Sequence, residues 1–218
     1  MNKPLAAVIL AAGKGTRMES DLPKVLHKVG GHSMISRVIN VASKLGANKI
    51  IAVLGYKYNL IQQSLNDESI DYVIQKEQLG TAHAVLQCEH ILKKFPGNTL
   101  ILYGDVPLTK IKTLSNLVTL HEQKEAWCTI LTTDLPDPTG YGRIIRDENN
   151  MLVKIVEEKD ATKEEKQINE VNTGFYIFNS KILFRLLPKV KNDNQQNEYY
   201  LPDVINLIID EKGKLAID

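Results

Sequence analysis

The sequence predicts an α/β fold, a mostly parallel but mixed sheet with helices on both faces, and two observations lead to this prediction. Short apolar runs rich in β-branched residues alternate along the chain with segments of helical periodicity, which is typical of strands alternating with helices. The first run, Ala6–Leu10, leads directly into a glycine-containing loop, and parallel sheets bind their ligands at such carboxyl ends of strands.

Strands are predicted wherever an apolar run has the length and the β-branched or aromatic content of a buried strand. In the first part of the chain these runs are Ala6–Leu10, Lys49–Leu54, Tyr72–Gln75, Thr99–Tyr103 and Cys128–Thr132. Less regular runs follow, and we expect them to extend the sheet and to wall one side of a pocket. They are Arg143–Arg146, Leu152–Glu157 and Gly174–Phe178.

Three segments between the runs have the apolar spacing of amphipathic helices. They are Met34–Leu45, Thr81–Leu92 and Lys110–His121. Ser33 is a candidate N-cap for the first helix, and Gly46 is a candidate for its end. Further on, Thr162 and Glu165 have the spacing of a capping box, which predicts a short helix there.

Composition argues against several classes of protein. The 218 residues carry 27 Lys and Arg against 26 Asp and Glu, a net charge of +1. Because these charges are interspersed, no basic face is predicted and we expect no nucleic-acid partner. No apolar stretch approaches the roughly 20 residues of a membrane span, so we expect no membrane partner. Two cysteines without a C-x-x-C pair favour a cytoplasmic protein, and the absence of a linker favours one domain over residues 1–218.

The loop after the first strand is the strongest local signal for a ligand. Gly13 and Gly15 let backbone N–H groups approach an anion, and three cations follow or flank them, namely Lys14, Arg17 and Lys24. A G-x-G pair by itself is as typical of an ordinary turn as of a phosphate loop, and it matches neither the dinucleotide nor the Walker pattern. The preceding strand and the cations favour a site for a polyanion such as a nucleoside triphosphate.

Asp105 is the candidate metal ligand. It follows the apolar strand Thr99–Tyr103 and Gly104, so its carboxylate is expected at the tip of that strand. A single Asp in this position is more often a cap or turn residue than a ligand, and the residues alone leave both interpretations open.

Several motifs, in order, resemble those of the sugar-1-phosphate nucleotidyltransferases, and within that family the bacterial uridylyltransferases that use N-acetylglucosamine 1-phosphate. The resemblance extends from about Leu5 to Ile209. The segments that carry it are Leu10–Met18, Pro23–His27, Gln78–Ala84, Tyr103–Leu108, Asp137–Arg143, Glu157–Ala161, Asn172–Gly174 and Glu198–Leu201. The resemblance implies a Rossmann-like nucleotide-diphospho-sugar transferase fold.

The activity implied by the resemblance is transfer of a uridylyl group from UTP to N-acetylglucosamine 1-phosphate. The products are pyrophosphate and UDP-N-acetylglucosamine, a precursor of the peptidoglycan cell wall. Because the attacking phosphate is already an anion, no general base is required, and the sequence contains no evident Ser-His-Asp or Cys-His arrangement. Arg17 and Lys24 are the implied catalytic cations, and Mg²⁺ on Asp105 is the implied cofactor.

The remaining site residues are likewise implied by the resemblance. Gln75 is expected to read the base, because its amide carries a donor and an acceptor as uracil does. The other implied substrate contacts are Leu10, Ala11, Ala12, Gly13, Lys24, Gly80, Thr81, Tyr103, Gly104 and Asp105, with Gly142, Glu157 and Asn172 around the acetamido sugar. Glu198 and Tyr199 are also expected to approach the sugar. Without the resemblance, these residues would be interpreted as turn glycines, surface carboxylates or caps.

The sequence departs from the family at its end, which leaves alternatives open. In the family, an asparagine beyond the position of Asp218 completes the metal and nucleotide site, so weak catalysis, or a protein that only binds UDP-sugar, is one alternative. Another is a transferase for cytidylyl, guanylyl or thymidylyl groups, although Lys24–His27 and Leu79–His83 favour the uridylyl branch. The acetyltransferase domain of hexapeptide repeats is not among the 218 residues, and we expect no trimer without it.

Overall fold

The computed structural model describes residues 3–15, 18–65 and 69–218. Within these residues, nine strands form one sheet, and two short strands form a separate hairpin. The strands are β1 (Leu5–Ala11), β2 (Lys28–Val29), β3 (His32–Ser33), β4 (Lys49–Leu54), β5 (Asp71–Ile74), β6 (Asn98–Tyr103), β7 (Cys128–Asp134), β8 (Gly142–Arg146), β9 (Leu152–Val156), β10 (Glu170–Asn179) and β11 (Leu215–Ile217). The helices are α1 (Met34–Lys44), α2 (Tyr58–Leu65), α3 (Thr81–Leu86), α4 (Glu89–Leu92), α5 (Ile111–Gln123), α6 (Ser180–Leu186) and α7 (Pro202–Asp210).

The main sheet is mixed and mostly parallel, as the sequence predicts. Its strand order is β11-β7-β10-β6-β1-β4-β5, and β8 and β9 extend from one end of β10. The strand β1 pairs in parallel with β4 and β6, whereas β10 runs antiparallel to both of its neighbours in this order, β6 and β7. The carboxyl ends of β1, β4, β5 and β6 therefore meet at one edge, next to the loop that follows β1.

Both faces of the sheet are covered by helices, which explains why β1 is apolar throughout rather than alternating. Alternate residues of β1 point into two different cores: Ala6 and Val8 pack under α3, α4, α6 and α7, whereas Ala7 and Ile9 pack under α1, α2 and α5. All four side chains are fully buried. The predicted layers are thus confirmed, and β1 lies at their centre.

Most predicted elements are found within one or two residues, but the helix predicted over Thr81–Leu92 is wrong as a single element. It is divided into α3 and α4 at Gln87 and Cys88, where backbone N–H groups bond to carbonyls three residues back. The Gln87 side-chain amide donates to the carbonyl of His83, 3.0 Å away, which a continuous helix would offer to the backbone. A side-chain hydrogen bond therefore competes with the helical ladder at this point.

The predicted caps are present. Ser33 accepts a hydrogen bond from the backbone of Ser36 at the start of α1. Thr162 and Glu165 exchange the two hydrogen bonds of a capping box, but only a 3₁₀ turn, Glu165–Gln167, follows them. None of the helices in the described part of the chain has the length and apolar character needed to cross a bilayer.

Candidate active site

A cavity of about 520 Å³ opens at the carboxyl ends of β1, β5 and β6. Ten of the predicted site residues border it. They are Leu10, Ala11, Ala12, Gly13, Lys24, Gln75, Gly80, Thr81, Tyr103 and Asp105. Gly15, Met18, Val25, Gln78, Ala84 and Glu198 also border it. Residues separated by almost the whole chain thus meet at the edge of the sheet where the parallel strands end.

The glycine loop is held against Lys24. Gly15 has a φ of +65°, and a Cβ on it would lie 2.6 Å from the Cβ of Lys24, so a side chain at this position would clash as well as strain the backbone. Gly13 has no neighbouring atom within 4 Å of the position its Cβ would take, which leaves its backbone open to the cavity. The buried Val25 and Leu26 anchor the turn that carries Lys24.

Lys24 and Asp105 form an ion pair beside this loop. The Lys24 Nζ donates to Asp105 Oδ2 at 2.6 Å, and the two side chains are 39% and 29% exposed. Asp105 follows β6 and Lys24 follows the glycine loop, so the pair bridges two parts of the chain that are 81 residues apart. Because both groups are accessible from the cavity, either one can exchange its partner for a ligand of the appropriate charge.

A single carboxylate is a suitable protein ligand for Mg²⁺, which keeps several waters and takes its other ligands from substrate phosphates. Asp105 satisfies this requirement, since the partner of its Oδ2 within the described residues is a lysine that a phosphate can attract away. Within the described ranges, no group of three or more His, Cys, Asp or Glu residues could hold a metal ion. The donor set thus fits Mg²⁺ shared with a phosphate better than a metal held by protein alone.

Tyr103 forms part of the floor of the cavity next to Asp105. Burial raises the pKa of its hydroxyl well above the ordinary value, and the negative charges of Glu157 and Asp105 raise it further. The ring packs edge-on against Phe175, with 6.4 Å between ring centroids. Tyr103 is therefore neutral at physiological pH and can donate a hydrogen bond there.

Gln75 borders the cavity just after β5 and is 3% exposed. Its side-chain Nε2 lies 3.1 Å from the carbonyl of Gly80 and 3.0 Å from His83 Nδ1. His83 in turn is 3.1 Å from the amide nitrogen of Gln87. The sequence did not predict that His83 contacts Gln75. The two residues are eight positions apart, one just after a strand and the other in a helix, and no sequence pattern indicates such a contact.

The segment around Gly80 is fixed by the chain near Tyr199. Gly80 has a φ of +109°, and a Cβ on it would lie 2.5 Å from the Tyr199 carbonyl. The backbone N–H of Tyr199 donates to Leu79, and its carbonyl accepts from Ala82. The side chain of Thr81 accepts from the backbone of Leu201 at 2.9 Å. The predicted residues Gly80 and Thr81 are therefore held rigidly, and Tyr199 acts here through its backbone.

Three of the residues predicted for the sugar, Gly142, Glu157 and Asn172, do not border the main cavity but lie together beside it. Gly142 pairs with Asn172 between β8 and β10, and the carboxylate of Glu157 lies within 3.3 Å of the place a Cβ would occupy on Gly142. The Asn172 amide donates to the hydroxyl of Tyr176 at 2.5 Å, and its oxygen accepts from the backbone of Gly174. Much of the hydrogen-bonding capacity of Asn172 is thus used within the protein.

Glu157 is surrounded by other acids. Burial raises the pKa of its carboxyl above the ordinary value, and the nearby charges of Asp203, Asp160 and Glu198 raise it further. Glu198 also borders the main cavity, so it connects the two groups of residues.

Arg143 is a buried residue that the motif contained but that sequence reasoning did not assign. It is 1% exposed, its Nη2 lies 2.8 Å from Glu158, and its Nη1 donates to the carbonyl of Tyr141. Both partners adjoin predicted sugar contacts, Gly142 and Glu157. The sequence offered one indication of a role, a positive charge next to Gly142 in a polar motif. Only the fold shows that the Arg143 side chain is buried.

Two further predicted residues need separate mention. Arg17 lies outside the described residues. Gly104 adjoins the cavity without bordering it, and its backbone N–H donates to Leu10, 2.9 Å away. It therefore joins the ends of β1 and β6 just before Asp105.

Comparison with known proteins identifies the family. Residues 6–217 match the family described as nucleotidyl transferase, and the chain belongs to this family. The family expected from the motifs is thereby confirmed.

Two curated relatives show which members of this family the chain resembles in sequence. The chain is 50% identical over 211 residues to the bifunctional protein GlmU of Staphylococcus carnosus, covering 97% of this chain and 46% of that protein. It is 51% identical over 201 residues to the bifunctional protein GlmU of Levilactobacillus brevis, covering 92% of this chain and 44% of that protein. The chain thus spans about half the length of the curated relatives it matches.

A solved structure supports the fold. The crystal structure of a UDP-glucose pyrophosphorylase complexed with UDP-glucose has a TM-score of 0.77 to this chain at 19% identity, and the match covers 100% of this chain and 90% of the other. The expected nucleotide-diphospho-sugar transferase fold is thus confirmed.

Proposed function

We propose that this protein transfers a uridylyl group from UTP to N-acetylglucosamine 1-phosphate, with Mg²⁺ as cofactor, and releases pyrophosphate. The proposal is carried by one observation: the glycine loop, the Lys24–Asp105 pair and Gln75 border the same cavity. Its volume of about 520 Å³ is within the range typical of small-molecule sites. Membership of the nucleotidyl transferase family supports the transfer of a nucleotidyl group.

The cavity has two functional ends in this proposal. We call Gly13, Gly15, Lys24 and Asp105 the phosphate end, and Gln75 and Gly80, with His83 in contact with Gln75, the base end. Backbone N–H groups of an open glycine loop and a nearby lysine suit a triphosphate, because both are donors to anionic oxygens. A buried amide beside a backbone carbonyl suits a base, because such groups read hydrogen-bond donors and acceptors.

The main obstacle to the proposed reaction is electrostatic repulsion between two anions, not a weak nucleophile. The attacking phosphate of the sugar is already anionic, so the protein's task is to bring two anions together and to stabilise the departing pyrophosphate. Lys24 supplies a positive charge beside the glycine loop. When bound at Asp105, Mg²⁺ would neutralise further charge on phosphate oxygens.

The ion pair indicates what happens when a nucleotide enters. A triphosphate offers Lys24 several oxygens in place of Asp105, and the freed carboxylate then becomes available to a cation. The sugar would lie towards Gly142, Glu157 and Asn172, which adjoin the cavity through Glu198. We also propose a cytoplasmic setting, in which the buried Cys88 and Cys128 remain reduced.

The test is a pyrophosphate-release assay of the 218-residue chain with UTP, N-acetylglucosamine 1-phosphate and Mg²⁺. We expect release that requires both substrates and that stops with a chelator. Calorimetric titration with UTP and with UDP-N-acetylglucosamine accompanies it. Binding without release would replace the proposed activity by binding alone, and absence of binding to any uridine nucleotide would overturn the proposal.

A further inference from the structure

The side-chain amide of Gln75 has a favoured orientation in this structure. Its Nε2 lies 3.1 Å from the carbonyl oxygen of Gly80, which can only accept a hydrogen bond. The nitrogen is therefore the atom that faces that carbonyl, because the amide oxygen would be repelled. The Gly80 segment, itself fixed against Tyr199, is thus one of two contacts that oppose rotation of the amide by 180°.

The same nitrogen also determines the tautomer of His83. The second hydrogen of the Gln75 amide points to His83 Nδ1, 3.0 Å away, so Nδ1 must carry the lone pair and the proton must be on Nε2. Gln75 is 3% exposed, and no water can easily replace this acceptor. The half-buried Gln87 lies beside His83 Nε2. If its side-chain amide rotates, the amide oxygen can accept a hydrogen bond from the Nε2 proton, and the bond of the amide nitrogen to the His83 carbonyl is lost.

The consequence concerns what Gln75 can offer to a ligand. Both of its amide hydrogens are used within the protein, by Gly80 and by His83. No donor among the described residues contacts its Oε1, and Gln75 borders the cavity. A ligand in the cavity therefore meets a hydrogen-bond acceptor, not the combined donor and acceptor that an unconstrained glutamine would present.

We propose that His83 is a positioning residue for base selection, which holds Gln75 as a pure acceptor and thereby favours uracil over cytosine. This inference rests on the proposed function. Position 3 of uracil carries an N–H donor that matches Oε1, whereas position 3 of cytosine carries a lone pair that is repelled by it. Thymine has the same N3–H as uracil, so Gln75 does not distinguish these two bases.

The surroundings of His83 allow variants that distinguish its hydrogen bond to Gln75 from its packing contacts. Its ring lies 6.5 Å from that of Tyr199 and borders a second, apolar cavity of about 250 Å³. Phenylalanine can retain these ring contacts but has no lone pair for Gln75. Asparagine places an acceptor oxygen at the δ position, as histidine places Nδ1, and should restore the hydrogen bond without the ring.

The experiment measures the binding of UTP, 5-methyl-UTP and CTP by calorimetry to the 218-residue chain and three variants. We expect the wild type to prefer UTP over CTP by about 100-fold and to bind 5-methyl-UTP as it binds UTP. In His83→Phe the preference for UTP over CTP should fall by about tenfold, because the Gln75 amide can then turn. His83→Asn should retain most of the preference.

The exposed His90 of α4 provides the matched control. His90→Phe should leave the preference unchanged. If His83→Phe does not fold, the nitrogen chemical shifts of His83 in the wild type decide instead: a protonated Nε2 and an unprotonated Nδ1 support the inference, and the reverse overturns it.

The outcomes separate the two proposals. An unchanged preference in a folded His83→Phe variant overturns the role of His83 and leaves the proposed function intact. Equal binding of UTP and CTP by the wild type overturns it as well. A wild type that binds no nucleotide overturns both.

Discussion

The base end and the phosphate end of the cavity differ in how they are held. At the base end Gln75 is 3% exposed, and its amide bonds to the Gly80 carbonyl and to His83. At the phosphate end Lys24 and Asp105 are 39% and 29% exposed and are bonded to each other rather than arranged around an anion. The base end is preorganised, whereas the phosphate end must exchange partners when a charged ligand binds.

This difference has a physical reason. Hydrogen-bonding groups that read a base lose selectivity if they can rotate, so burial and fixed partners are useful there. Charged groups that receive a polyanion would be costly if left unpaired, and an accessible ion pair lowers that cost until the ligand arrives. The following predictions test this contrast, beginning with the largest expected effect.

Replacing Asp105 by Asn should affect catalysis more than any other change considered. Asparagine retains the size of the side chain but removes the charge that holds a divalent cation, so pyrophosphate release should fall by at least about 100-fold. Thermal unfolding should be little changed. Asp71→Asn, which removes the carboxylate from another exposed ion pair, that with Lys49, is the control and should keep its activity. Full activity in Asp105→Asn would remove the carboxylate from the mechanism.

Replacing Lys24 by Met should change two binding constants in opposite directions. UTP binding and turnover should weaken by about tenfold or more, because a cation beside the triphosphate is lost. In contrast, Mg²⁺ should bind the nucleotide-free protein more tightly, because Asp105 no longer has a competing lysine. Titration of each variant with Mg²⁺ and with UTP measures both effects.

Lys49→Met is the matched control for this exchange of partners, since it breaks an exposed ion pair of similar length, 2.9 Å, at the opposite end of the strands. It should alter neither constant. A parallel change of Mg²⁺ and UTP affinity in Lys24→Met would contradict the idea that the lysine and the cation compete for Asp105.

Replacing Arg143 by Met should test the part of the site next to the sugar. The variant leaves Glu158 without its buried partner, and we expect the free energy of unfolding to fall by about 2 kcal/mol, less than for a fully buried pair. The KM for the sugar phosphate should rise more than that for UTP, because Tyr141 and Glu158 adjoin Gly142 and Glu157. Denaturant unfolding and steady-state kinetics measure the two effects.

Arg185→Met is the control for the loss of an arginine. Arg185 pairs with Glu211 on the surface, and removal of this exposed pair should lower the free energy of unfolding much less than Arg143→Met does and should not change either KM. Equal changes of the two KM values in Arg143→Met would indicate that the variant disturbs the whole site and not specifically the part next to the sugar.

The smallest expected effect concerns Glu157. The pKa of its carboxyl is raised in the folded protein by burial and by neighbouring acids, so the folded state holds its proton more tightly than the unfolded state does. Its contribution to stability is therefore present at low pH and is lost as the pH rises from the ordinary carboxyl pKa through the raised one. Above that window the buried charge costs stability.

Glu157→Gln should consequently raise the unfolding temperature at pH 7.5 by about 2 °C and should have little effect at pH 4, while it weakens binding of the sugar phosphate. Thermal unfolding at the two pH values is the measurement. The exposed Glu148→Gln serves as a control without a pH-dependent difference. An equal rise of the unfolding temperature at both pH values would contradict the assignment of the effect to ionisation of the Glu157 carboxyl.

The sequence predicted the position of the site better than its internal contacts. Alternation of strands and helices placed the loop after β1 and Asp105 at one edge of the sheet, and the structure places ten of the predicted residues around one cavity there. The pairing of Lys24 with Asp105 was not predicted, because nothing local connects residues 81 positions apart. The roles assigned to individual residues, that of Arg17 included, remain predictions.

The failures of prediction have identifiable physical causes. The single helix over Thr81–Leu92 was predicted from apolar periodicity, but helical hydrogen bonding is interrupted at Gln87, whose side-chain amide lies 3.0 Å from the His83 carbonyl. The partners of the Gln75 amide, Gly80 and His83, were not predicted either. In both cases, a polar side chain found a partner that hydrophobic patterns do not encode.

The sequence by itself determined the order of strands and helices, the two apolar faces of β1 and the edge of the sheet where the site lies, because these follow from periodicity and from residues adjacent in the chain. The tertiary structure alone decided the partners: Asp105 for Lys24, Glu158 for Arg143, and His83 for Gln75. A hydrogen bond or ion pair depends on distances of about 3 Å between groups, and only the packed sheet and helices bring such groups together.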